Sequence, residues 1–126
     1  MKITKFGICQ VSIAPVRKAA SDESEIVTQL LFGDYVKINE LGQPWIKIYF
    51  PRDDYYGFMD FKQLCYISEE EFTEDAEKNH PVVSQSTIKI SGPIGEQNLI
   101  CGSNLPNLSD QKIKLAGIEY KVLEPV

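Results

Sequence analysis

Apolar and polar positions alternate along the chain in short bursts, and turn formers interrupt them roughly every eight to twelve residues. "GICQVSIAPVR", residues 7–17, carries Ile8, Val11, Ile13 and Val16 in a loose alternation that Pro15 interrupts. "SDESEIVTQLLFGD", residues 21–34, passes from small and acidic residues into an apolar run that Gly33 stops. "YVKI" puts Val36 and Ile38 on one face, and "ELGQP" is a turn with Gly42 and Pro44. In "WIKIYF", Trp45, Lys47 and Tyr49 face one way and Ile46, Ile48 and Phe50 the other. "PRDDYYG" reads as a loop, "FMDF" as a short strand, and "KQLCYI" closes the unit. Many short strands with frequent turns predict an all-β fold whose first part is a small barrel.

The period changes at residue 68. In "SEEEFTEDAEKNH", residues 68–80, Ser68 with Glu71 makes a capping-box pattern and acidic residues fill the first turn. Lys78 and Asn79 stand where a helix should stop before Pro81. A short helical linker with a solvated acidic face is expected there. Strand signals then return: "STIKIS" alternates through Ile88 and Ile90, and "GPIGEQ" is a turn. "QKIKLAGIEYKVL" reads as a hairpin turning at Ala116-Gly117. The expected organisation is a barrel over residues 1–67, a helical linker over 68–80 and a second β unit over 81–126. That last unit is short for an independent barrel, so it should pack on the first or on something further along.

Composition narrows the function. The chain has 126 residues, 43% hydrophobic and 25% charged, which supplies enough apolar surface for a core. Eighteen acidic against 13 basic residues give a net charge of -5, and the lysines are scattered singly. A nucleic-acid partner is therefore not expected. No apolar segment approaches the roughly 20 residues of a membrane span. Cys9, Cys65 and Cys101 are odd in number, widely spaced and without a CxxC pair, which argues against a disulfide framework and a zinc site. Free cysteines suit a reducing, cytoplasmic compartment; a periplasmic or cell-envelope location fits a chain that has lost a leader.

Catalytic chemistry finds little to work with. The single histidine, His80, sits in the linker, in a place where histidines are mostly surface residues. Cys9 and Cys65 lie in strand-like apolar contexts, and no histidine follows Cys101 to act as its base. Phosphate loops, GxSxG elbows and metal-ligand spacings are missing, so no cofactor or metal is expected. Binding remains. "YFPRDDYYGFMDF" gathers Tyr49, Phe50, Tyr55, Tyr56, Phe58 and Phe61. Alternation sends half of these inward, and the loop tyrosines either grip a ligand or cover the end of the barrel. Glu25, where loop becomes strand, reads by itself as a solvated charge.

Together these pieces resemble the bacterial SH3 domain. The residues that carry the resemblance are Val16-Arg17, then Leu30 with Gly33 and Val36, then Trp45 to Ile48, then Gly57-Phe58-Met59. Phe58 stands where tryptophan is more common. The similarity covers about residues 7–65, and it implies an SH3-like barrel followed by a minimal or incomplete second SH3-like unit. "SEIVTQLLFGD" is more specifically similar to the front of NlpC-type cysteine peptidases. Those enzymes join SH3-like domains to a papain-like domain that cuts cell-wall peptides between D-glutamate and the diamino acid. The catalytic Asp-Cys-Ser-Gly motif is absent from this sequence. The resemblance therefore implies a non-catalytic specificity or targeting region for murein peptides, partnered by a papain-like domain in cis or in trans.

In that family, a glutamate and a tyrosine of the first SH3-like domain help bind the free N-terminus of the peptide. By motif these correspond to Glu25 and to Tyr55 or Tyr56, with Tyr-x-Gly-aromatic pointing to Tyr55. A carboxylate meeting an ammonium is a charge-assisted pair that demands a free terminus. The competing reading is a stand-alone bacterial SH3 module for peptidoglycan or protein binding.

Overall fold

The computed structural model describes residues 5–76, 78 and 80–124. It is mostly β, with one short helix between two antiparallel sheets, as the all-β expectation required. The first sheet contains β1 (Lys5–Cys9), β2 (Ile13–Arg17), β3 (Ile26–Leu31), β4 (Tyr35–Glu40), β5 (Trp45–Phe50), β6 (Tyr55–Asp60) and β7 (Leu64–Ile67). Its strand order is β3-β2-β6-β5-β4-β1-β7. Leu30 from one edge strand and Leu64 from the other share one core with Ile46, Ile48 and Met59, so the sheet coils closed. β5 alternates as the sequence requires: Ile46, Ile48 and Phe50 are buried, and Trp45, Lys47 and Tyr49 are half-buried on the outer face.

The stretch expected as one loose alternation, residues 7–17, is two strands. The chain breaks at Gln10–Ser12 because these polar groups find partners elsewhere. Gln10 N donates to Gln63 O at 3.1 Å, and the Gln10 side chain donates to Lys62 O at 3.0 Å. Pro15 is tolerated in β2 because β2 ladders to β6 only at Arg17↔Phe58, so few bonds on that side are lost.

α1 spans Glu69–Asp75, with the Ser68 hydroxyl accepting from Glu71 N at 3.1 Å. It is shorter than the 68–80 segment expected, and Asn79 lies outside the described residues. After Ala76 the chain tightens: Lys78 N donates to Asp75 O and His80 N to Lys78 O. The helix is more than a solvated linker, since Phe72 stacks on Phe6 with ring centroids 4.6 Å apart.

The second sheet contains β8 (Thr87–Gly92), β9 (Gly95–Ile100), β10 (Lys112–Leu115) and β11 (Ile118–Val122), in the order β10-β11-β8-β9. Ala116 and Gly117 both have left-handed φ, 53° and 78°, as the two-residue hairpin turn read from the sequence demands. This sheet packs on the barrel. Ile88, Ile90, Leu99 and Tyr120 form one core with Ile8, Phe32 and Tyr35 of the first unit. Phe32 meets Tyr120 edge to face at 5.3 Å. β1 is consequently buried on both faces: Ile8 faces the shared core and Cys9 the barrel core.

Polar bonds fix the same junction. The Asn104 amide donates to Gly33 O at 2.8 Å, Asn104 N donates to Phe32 O at 3.0 Å, and the Gln97 amide donates to Gln10 O at 3.2 Å. Gly33 has φ 85°, and a Cβ there would lie 2.6 Å from Asn104 Cβ. Glycine is thus demanded both by the turn and by the neighbour.

Candidate functional site

Sheet register determines where the predicted residues fall. Ile26 pairs with Arg17, and Arg17 with Phe58, so the starts of β3 and β6 lie at one end of the sheet with β2 between them. Glu25 precedes β3, and its carbonyl accepts from Lys18 N at 2.8 Å, which pins the backbone. Its side chain is exposed. Tyr55 and Tyr56 open β6, with 46% and 56% of their surfaces exposed. Gly57 follows, and a Cβ there would lie 2.5 Å from Val16 Cγ1 and 2.8 Å from Arg17 O. This glycine lets β6 approach β2 closely and brings Tyr55 to the same end as Glu25.

The two tyrosines point to opposite faces. Tyr56 pairs with Tyr49 on the outer surface, ring centroids 4.6 Å apart, in line with Phe58 beside Lys47. The Tyr49 hydroxyl donates to Asp54 Oδ1 at 2.8 Å, which raises the Tyr49 phenol above its ordinary pKa. Tyr55 shares the inward parity of buried Gly57 and Met59, and it pairs with buried Phe50. An exposed tyrosine on the inward side, at the rim of the barrel, presents both a ring face and a hydroxyl to a ligand entering from that end.

The three cysteines lie in different environments. Cys9 is fully buried, and desolvation pushes its thiol up to about 12. Burial also raises Cys65, which is half-buried. Cys101 is exposed, with its Sγ 3.8 Å from Ser84 O. His80 is not the loose surface residue expected from its linker position. Its ring stacks on Tyr35 at 5.7 Å, and its Nε2 donates to the Asp75 carbonyl at 2.7 Å. Among the described residues no three His, Cys, Asp or Glu side chains gather to hold a metal, and no helix is long and apolar enough to cross a membrane.

Sequence reasoning missed a second feature. A cleft of about 770 Å³ opens where the barrel, α1 and the second unit meet. Asp34 lies in its wall with a side chain only 5% exposed, accepting from Leu31 N at 2.7 Å and facing Arg52 at 3.5 Å. Desolvation raises the Asp34 carboxyl to about 6, against the lowering effects of the Leu31 bond and Arg52. The signal available in the sequence was the "LFGD" turn, where an aspartate after glycine closes the turn by bonding back to the backbone.

The comparisons with known proteins bear on the barrel. A family profile described as the bacterial dipeptidyl-peptidase SH3 domain matches residues 16–64. Over these residues the barrel matches a bacterial SH3 domain. Among solved structures, an NlpC/P60 family protein from Bacillus cereus ATCC 10987 superposes with a TM-score of 0.69 at 19% identity. The alignment covers 94% of this chain and 53% of that one, so the shared fold includes the SH3 barrel and the second sheet. The chain therefore spans about half the length of that protein. Among curated proteins, no sequence matches the chain.

Proposed function

We propose that the chain is the non-catalytic recognition and targeting region of an NlpC-type cell-wall peptidase. One observation supports this above the rest: nearly the whole chain superposes on about half of an NlpC/P60 protein, and its barrel matches the SH3 domain of bacterial dipeptidyl-peptidases. In this reading the SH3 barrel comes first, α1 links it to a second SH3-like unit, and a papain-like domain in cis or in trans supplies catalysis. The bond cut by that partner is the one between D-glutamate and the diamino acid of murein peptides. Glu25 receives the free ammonium end of the peptide, and Tyr55 at the same rim packs against its first residues. Tyr56, on the outer face, has a lesser part. Three free cysteines fit work on wall fragments in a reducing, cytoplasmic compartment.

The test is an amide-shift titration with a peptide that begins L-Ala-D-Glu and carries a free N-terminus. Shifts should centre on Glu25, Tyr55 and Gly57. Replacing the carboxylate by Glu25→Ala should weaken binding by about tenfold, the scale of one charge-assisted pair. Acetylating the peptide N-terminus should do the same. Shifts confined to other surfaces, or equal binding of the acetylated peptide, would refute the assignment.

The stand-alone reading, a module for wall glycans or proteins, draws on the outer aromatic row of Tyr49, Tyr56 and Phe58. It predicts retention on intact peptidoglycan that is insensitive to Glu25→Ala and lost with Tyr56→Ala.

A further inference from the structure

The cleft between the barrel, α1 and the second unit has a composition that points to a ligand. Among the described lining residues Arg52, Lys37 and Lys78 are cations and Asp34 is a carboxyl, with Asp53 acting on Asp34 and with Asp75 and Glu71 acting on Tyr35 from beside the walls. Lys78 is already paired with Asp75 at 2.8 Å. Arg52 reaches Asp34 at 3.5 Å, yet its side chain is 65% exposed, which leaves most of its donor fork facing solvent. Lys37 lies over the Phe72 ring at 5.9 Å and has no carboxylate partner among the described residues. The walls beside these cations are apolar: Phe72, and Val82 with 51% of its surface exposed. His80, clamped between Tyr35 and the Asp75 carbonyl, is a rigid part of the surround.

We propose that this cleft is a separate ligand site, which takes the free carboxylate end of a peptide whose last side chain is apolar. Arg52 and Lys37 hold the carboxylate, and Val82 and Phe72 cover the side chain. With Asp34 and Asp53 near Arg52, and Glu71 near the same wall, the cleft suits a singly charged anion rather than a dianion. Asp34, held in place by the Leu31 amide, would stand against a phosphate dianion more strongly than against a carboxylate. Apolar area on Val82 that now faces water would be buried by the ligand side chain. Glu25 is not part of the cleft lining, so the site is distinct from the rim assigned to the peptide N-terminus.

The test uses the full chain and the probe N-acetyl-Ala-Val with a free carboxylate, followed by amide shifts. Acetylation removes the ammonium, so the Glu25 site cannot produce the signal and the two assignments fail independently. The expected result is a set of shifts at Arg52, Lys37, Val82 and His80. Arg52→Gln and Lys37→Gln should each weaken binding by about tenfold, and the C-terminal amide of the probe by at least about that much. Arg52 is exposed and Lys37 half-buried, and an unchanged spectrum outside the cleft shows that the variants fold. Three outcomes would overturn the proposal: no shifts with the probe at millimolar concentration, equal binding of the amide, or displacement by inorganic phosphate at matching affinity.

Discussion

Asp34 makes stability depend on pH in a way that a single substitution can isolate. Its carboxyl is almost entirely buried, and desolvation lifts it from an ordinary 3.8 to about 6. The folded chain therefore retains a proton that the unfolded chain has already released. Stability from this group falls as pH rises between those two values, and the full penalty is present above the higher one. The shift corresponds to about 3 kcal/mol at most. The lowering by Arg52 and by the Leu31 bond is already contained in that shift, and about 1–3 kcal/mol is expected.

Asp34→Asn tests this, because an amide oxygen still accepts from Leu31 N while the titrating charge is gone. Chemical denaturation of both proteins should give equal stabilities near about pH 4 and a more stable variant near about pH 7.5. At neutral pH its melting temperature should rise by roughly 3 °C per kcal/mol. Glu71, also raised by burial and by Asp75, titrates in both proteins and cancels in the difference. Parallel curves across that range, or a variant less stable at the upper end, would show that Asp34 gains more from Arg52 and Leu31 than it loses by desolvation.

Other substitutions test the junction and the cysteines. Phe32→Ala removes a fully buried ring shared by both units and should cost about 3–5 kcal/mol in denaturant unfolding; a loss under about 1 kcal/mol would contradict the shared core. Gly33→Ala forces a methyl against Asn104 in a left-handed backbone position and should destabilise by about 1–3 kcal/mol in a thermal melt. An unchanged midpoint would mean that the units separate without cost. With a thiol reagent at about pH 8, Cys101 should react first and Cys9 only on unfolding; simultaneous modification of both in the native chain would count against the burial of β1.

Much of the local structure was legible from the sequence because it is governed by local chemistry. The clean alternation of Trp45 to Phe50 announced one buried face, since strand side chains alternate whatever the partner strand is. Ser68 announced a helix start, and Ala116-Gly117 a hairpin, through side chain and backbone preferences that act within a few residues. The candidate rim was reachable only in part. Glu25 and Tyr55 came from resemblance, and their common location depends on β2 pairing with both β3 and β6. The cleft was not reachable, because its walls come from positions 34 to 104 and no spacing links them.

The sequence by itself determined an all-β chain of short strands with one capped helix between two strand-rich parts. Periodicity, caps and turn residues are local signals, and they sufficed for that. Only the tertiary structure decided that β1 is buried on both faces, that Phe32 belongs to the core of the second sheet, and that His80 is clamped against Tyr35. An apolar residue reports that it will be buried, but the partner that buries it is set by packing between segments distant in sequence. The charged cleft has the same origin: the barrel supplies Asp34, Lys37 and Arg52, α1 supplies Phe72, and the second unit adds Val82 and Asn104.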